Sequence, residues 1–82
     1  MVKEITYAPK FHKQFKKLDK SYILRIKKLI EKIIEDPDIG KPMRYDRKGT
    51  REVYLPPFRL SYTYDQNKDN LYFLAIYHKD EQ

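Results

Sequence analysis

The sequence predicts an α+β fold in the order β-α-α-β-β-β, with a helix hairpin packed on one face of a small, mainly antiparallel four-stranded sheet. Two observations carry this expectation. Apolar residues recur at helical spacing between Phe11 and Ile34, and at a period of two between Arg51 and Tyr77. The period-two segments follow one another with short connections, as in an antiparallel meander. With 82 residues the chain forms one domain, residues 1–82. It is too small to enclose a large cavity, so any ligand must sit on an open face.

"VKEITY" (2 to 7) alternates and is rich in β-branched and aromatic residues, which reads as the first strand. Pro9 follows. Phe11, Phe15 and Leu18 then recur at i, i+4 and i+7, one apolar stripe on a short helix with Lys13, Gln14, Lys16 and Lys17 off it. Asp19 and Ser21 supply capping chemistry for a second helix, whose core face is Tyr22, Ile26, Leu29, Ile30, Ile33 and Ile34. Asp36 and Pro37 end it. Residues 37–50, "PDIGKPMRYDRKGT", hold both glycines, two prolines and a cluster of charge, and read as a loop. Strands are expected at 51–55, 58–64 and 70–77, with Pro56 and Pro57 at the first turn and "DQNKDN" at the second.

The net charge of +6 is unevenly spread. Residues 10–32 hold nine Lys or Arg against Asp19 and Glu31, and residues 41–63 hold six against Asp46 and Glu52, while the remaining segments are neutral or acidic. Such fields favour polyanions or an acidic protein partner, although a lysine-rich helix is often only a solvated face. Cysteine is absent, which excludes disulfides and thiolate metal sites. The first residues, "MVKEITYAPK", carry no apolar run of signal-peptide length, so a cytoplasmic location and no membrane partner are expected.

Alternation along the strands singles out one face. Phe58, Leu60, Tyr62 and Tyr64 share the side that must meet the helices, which sends Arg59, Ser61 and Thr63 to the other. On the preceding strand Val53 and Leu55 go inward and Glu52 and Tyr54 outward. Arg59, Glu52 and Tyr54 are therefore expected together on the open face. The plain structural alternative is a cross-strand ion pair of Arg59 with Glu52, worth a few tenths to about 1 kcal/mol. His78 closes the last strand, and a histidine beside an arginine-bearing strand suits general acid or base chemistry. Strict parity places it with Leu74 and Ile76, which could be the core side. His12, among lysines, reads as solvated.

The order strand, helix hairpin, basic loop, "GTREVYLPPFRLSYTY" and a final strand ending in "IYHKDEQ" resembles the RelE/ParE superfamily of toxins from bacterial and archaeal toxin–antitoxin modules. The likeness runs over nearly the whole chain, with "KFHKQFKKLDK" at the first helix and "FRLSY" at the family's arginine-leucine-x-tyrosine strand. It implies a type II toxin, an endoribonuclease (mRNA interferase) that cuts mRNA in the ribosomal A site. It implies that Arg59 contacts the scissile phosphate, that His78 acts as general acid, and that Tyr54 or Glu52 lies near the reacting phosphate. Lys41, Arg44, Arg47, Lys48, Arg51 and Lys79 would hold RNA. Glu52 stands where one branch of the family has lysine, which leaves the identity of the base open.

No metal-ligand spacing and no cofactor motif is present, so a metal-independent reaction is expected, and that points to RNA, whose 2′-hydroxyl can attack its own phosphate. The expected partners are mRNA, the ribosome and a cognate antitoxin with an acidic, amphipathic segment that folds on binding. Two alternatives share the basic face: a ParE-like inhibitor of DNA gyrase, and a non-catalytic basic module that binds nucleic acid.

Overall fold

A computed structural model of the chain describes residues 2–78 and 80. In chain order it contains β1 (Glu4–Tyr7), α1 (Pro9–Lys16), α2 (Lys20–Glu35), β2 (Lys41–Pro42), a 3-10 turn (Tyr45–Arg47), β3 (Arg51–Leu55), β4 (Phe58–Asp65) and β5 (Asn70–His78). The sheet order is β1-β5-β4-β3-β2. The expected meander is present as antiparallel β3, β4 and β5, and β1 lies parallel beside β5. The sheet has five strands, not four, because Lys41 and Pro42 in the expected loop pair with Glu52 and Arg51. A two-residue strand has no period to detect, so only the pairing reveals it.

Both helices begin where local chemistry starts them. Pro9 occupies the first turn of α1, where its missing N–H costs nothing. At α2 the Asp19 carboxylate accepts from the Lys20 N–H at 3.0 Å and from the Ser21 hydroxyl at 3.1 Å. Past the end of α2, Asp36 turns the chain, its carboxylate taking the Asp38 N–H at 3.1 Å.

Ile26, Ile30 and Ile33 of α2 and Phe11 of α1 are buried against Leu60, Tyr62, Leu71, Phe73 and Ile76 of the sheet. The helices cover this face alone. Tyr62 anchors the chain leaving α2: its hydroxyl donates to the Pro37 carbonyl at 2.6 Å and accepts from the Gly40 N–H at 2.9 Å. A Cβ at Gly40 would stand 2.6 Å from that hydroxyl, so the close approach requires glycine. Arg51 fastens the same segment, donating to the carbonyls of Gly40 at 2.7 Å and Asp38 at 3.1 Å.

β1 ends at Tyr7, opposite Phe73, which leaves the rest of the β5 edge without a neighbouring strand. Gln14 of α1 covers it, its side-chain oxygen accepting from the Ile76 N–H at 2.8 Å. Among the described residues no helix is long and apolar enough to cross a membrane.

Candidate functional site on the open sheet face

The hairpin of β3 and β4 sets Tyr54 opposite Arg59 and Glu52 opposite Ser61. The next pair of strands sets Arg59 opposite Tyr77 and Ser61 opposite Ala75. Glu52, Tyr54, Arg59 and Tyr77 therefore share the face that the helices leave open. The loop before β3 closes over part of it, held by a turn in which Gly49 takes a φ of 97° and its carbonyl accepts from the Thr63 hydroxyl at 2.6 Å.

That loop delivers Arg47 to the centre. Its Nη1 donates to Glu52 Oε2 at 2.8 Å and to the Tyr77 hydroxyl at 2.9 Å. The Tyr77 hydroxyl donates in turn to the same Glu52 oxygen. Arg59 Nη1 lies 3.6 Å from Glu52 Oε1, and its guanidinium carbon is 5.7 Å from the centre of the Tyr54 ring. The cross-strand ion pair weighed from the sequence is thus present, but as one arm of a larger network.

Glu52 is only 8% exposed, whereas the Arg59 side chain keeps 34% of its surface and the Arg47 side chain 47%. A buried carboxylate of this kind needs cationic partners, and here it has two. Arg59 stays 3.6 Å from the carboxylate with about a third of its side chain exposed, while its Nε is buried without a hydrogen-bond partner among the described residues. Lys41 faces Glu52 across β2 and β3, so Lys41, Arg47 and Arg59 gather around this carboxylate, with Asp46 a second acid beside Arg47 in the adjoining recess.

Two recesses flank Glu52. One, of about 250 Å³, is lined by Lys41, Met43, Glu52, Tyr54 and Arg59. The other, of about 410 Å³, is bounded by Arg47, Glu52, Ser61, Ala75 and Tyr77, with Gln14 and Lys10 at its edge. Forked guanidinium donors of this kind can match the oxygens of a phosphate.

Not every residue singled out from the sequence comes to this site. His78 stands opposite Phe58 and packs edge-on against its ring at 5.9 Å, on the helix side, with Lys17, Leu18 and Ile76 around the same recess. The cause is a β-bulge: Ser61 pairs with Ala75 and Tyr62 with Phe73, so Leu74 is an extra residue in β5. Leu71 and Phe73 before it, and Ile76 after it, all face the core. The extra residue exchanges the two faces, sending Tyr77 to Arg59 and His78 away from it. Adjacent apolar residues at Phe73 and Leu74 are the sequence signal of this phase change.

Arg51, expected to hold RNA, points to the turn after α2 and pairs with Asp38 at 3.5 Å. Arg44 and Lys48 are exposed on the loop. Lys79 lies outside the described residues. Among the described residues no three His, Cys, Asp or Glu side chains converge as metal ligands would.

The family model for the ParE toxin of type II toxin–antitoxin systems (parDE) matches residues 5–82. The chain belongs to this toxin family. Comparison with curated protein sequences finds no match. Among solved structures, this ParE-family chain is similar in fold to the Mycobacterium tuberculosis toxin–antitoxin complex RelBE2, with a TM-score of 0.84 at 18% identity over 96% of this chain and 100% of that one. The YoeB/ParE toxin from Agrobacterium tumefaciens gives 0.83 at 14% identity, covering 93% of this chain and 98% of that one. YafQ from Escherichia coli gives 0.75 at 23% identity, covering 94% and 93%. The protein is a type II toxin with the RelE/ParE fold.

Proposed function

We propose that this toxin is an endoribonuclease that cleaves mRNA in the ribosomal A site, with the open sheet face as its active site. One observation carries the reading: a partly exposed Arg59, flanked by Arg47 and Lys41, is held over that face by a single buried carboxylate at 3.6 Å. A phosphodiester would take the charge that Glu52 leaves uncompensated.

In the proposed reaction the 2′-oxygen attacks phosphorus and loses its proton, the bond from phosphorus to the 5′-oxygen breaks, and that oxygen is protonated. The products are a 2′,3′-cyclic phosphate and a 5′-hydroxyl end. Arg59 stabilises the charge on the phosphorane, a contribution of about 3 to 4 kcal/mol for a well-placed donor. Glu52 orients both guanidinia and is the carboxylate at hand to receive the 2′-proton when phosphate draws them away. Tyr77, which faces Arg59, takes the donor role that the sequence suggested for His78, and Tyr54 walls the other side of Arg59.

The antitoxin is proposed to bind the opposite side of the molecule. A groove of about 430 Å³ lies between the helices and β1, lined by Tyr7, Phe11, Phe15, Ile30 and Ile34 with Lys27 on its rim. The apolar floor suits an amphipathic segment; Glu31 and His12 share the rim with Lys27, and the acidic character of the partner rests on the nine Lys or Arg of residues 10–32. RelE of Escherichia coli was solved with its antitoxin RelB, and the archaeal pair from Pyrococcus horikoshii likewise, which supports this partner class.

A second reading is inhibition of DNA gyrase, favoured by the match to the ParE family model and by the absence of His78 from the Arg59 face. Mapping mRNA 5′ ends after brief induction, with a supercoiling assay of gyrase in parallel, separates the two. Intact mRNA with inhibited supercoiling excludes the ribonuclease.

A further inference from the structure

We infer that Tyr45 is a base-stacking residue, one that seats a nucleobase of single-stranded RNA beside the Arg59 site; this rests on the ribonuclease reading. Tyr45 is 90% exposed, the most exposed of the large apolar side chains described, ahead of Leu24 at 62% and Tyr54 at 50%. Among the described residues it packs against no other ring.

Its backbone is equally unusual. Tyr45 has a φ of 59°, in the left-handed region that bulky residues avoid. The only other described non-glycine residue there is Asp69, at 51°, a type that tolerates the conformation. A tyrosine held in a strained backbone and turned to solvent contributes nothing to the core, so the fold supplies no reason for this residue at this position.

The loop holds Tyr45 in place rather than leaving it loose. The Lys48 N–H donates to the Tyr45 carbonyl at 3.0 Å, the Arg47 N–H to the Arg44 carbonyl at 3.3 Å, and the Met43 N–H to the Thr50 carbonyl at 3.0 Å. Arg47 ties the turn to Glu52 and Tyr77. Met43 lines one recess beside Glu52, and Asp46 and Arg47 line the other. Tyr45 lies between them in the chain, and two Cα steps of about 3.8 Å keep its Cα within about 7.6 Å of that of Arg47.

Arg44, Arg47 and Lys48 lie within three residues of it in the chain, with Asp46 the one acid among them. An exposed aromatic ring on a basic loop, whose neighbours line the two recesses beside Glu52, is the composition of a platform for single-stranded nucleic acid, on which the ring takes the base and the cations take the backbone. Every base has a face to stack, so the contribution carries little sequence preference.

Equilibrium binding of the full chain to two RNAs tests this, one bearing normal bases and one abasic of the same length. Both carry 2′-O-methyl groups so that they cannot be cut. The intact chain is expected to bind the base-bearing RNA roughly five- to a hundredfold more tightly, Tyr45→Ala to lose that preference, and Tyr45→Phe and Tyr45→Trp to keep it. Because Tyr45 is exposed, circular dichroism of all three variants should match the parent.

Tyr45→Ala binding base-bearing RNA as the parent does overturns the inference, and if the parent still cleaves mRNA on programmed ribosomes the ribonuclease reading survives. A Tyr45→Ala protein with unchanged RNA binding but lost growth arrest also overturns it, and assigns the residue to a protein contact. A parent that shows no preference for the base-bearing RNA overturns the inference, and one that also leaves mRNA intact on programmed ribosomes removes the ribonuclease reading with it.

Discussion

Arg59 stands directly opposite Tyr77 across β4 and β5, while His78, one residue further on, stands opposite Phe58 and turns to the helices. The single extra residue at the bulge decides which of the two meets the arginine.

Tyr77→Phe and His78→Gln should therefore behave differently. The first removes a hydroxyl hydrogen-bonded to Glu52 and Arg47, and is expected to slow mRNA cleavage on programmed ribosomes by about 100-fold, within the range for a general acid. The second is expected to leave the rate within a few-fold of the parent. Single-turnover cleavage of both variants checks the assignment, and the reverse pattern restores the role to His78.

Glu52→Gln leaves Arg47 and Arg59 facing each other without their carboxylate. Both guanidinia are partly exposed and can turn to solvent, so the loss of stability is expected to be moderate, about 1 to 2 kcal/mol in chemical denaturation. Affinity for single-stranded RNA should rise, because the site gains a positive charge. The slope of log affinity against log salt should steepen by about 0.7. Weaker RNA binding would show that Glu52 contributes more by orienting the arginines than it costs in charge.

Much of this architecture was legible in the sequence, and the gaps have physical causes. The helix positions followed from Ile26, Ile30 and Ile33 at helical spacing and from Asp19 as a cap. The placement of Arg59, Glu52 and Tyr54 on one face followed from alternation alone, since β3 and β4 pair without interruption from Tyr54 and Arg59 to Glu52 and Ser61. At the end of β5 alternation grouped His78 with Ile76 as a possible core side, and the structure turns both to the helices; what the period did not show is the bulge at Leu74, which exchanges the faces after Phe73 and brings Tyr77 to Arg59. Arg51 looked like any other cation of the basic segment. Only the fold shows that it is committed to the carbonyls of Asp38 and Gly40. Arg47 was one of several loop cations, and its reach to Glu52 and Tyr77 depends on how the loop folds over the sheet.

The Tyr62 anchor gives a prediction that concerns stability alone. Tyr62→Phe strands the Pro37 carbonyl and the Gly40 N–H, and should cost about 1 to 3 kcal/mol. Gly40→Ala should be comparably harmful, because its Cβ would stand 2.8 Å from Tyr62 Cε1 and 2.9 Å from Arg51 Cβ. Thermal denaturation of each variant at neutral pH measures both.

The same residue gives a pH dependence. Burial pushes the Tyr62 hydroxyl above its ordinary value of 10.0, and the Tyr64 hydroxyl is also raised, chiefly by its hydrogen bond to Asp69. A folded-state value above the unfolded one means that the unfolded chain releases these protons first. The associated stability is complete below the unfolded value and is lost as pH rises through the folded values. Unfolding free energy should therefore fall as pH climbs past 10.0, and Tyr62→Phe should flatten that fall. An equally steep fall in the variant would assign it to other groups.

The role of Arg59 is tested most directly by mRNA cleavage on programmed ribosomes with the parent, Arg59→Ala and Arg59→Lys. The phosphate-clamp account predicts a loss of about 100- to 1,000-fold for alanine, partial activity for lysine, and unchanged circular dichroism for both. Full cleavage by a folded Arg59→Ala protein would contradict it.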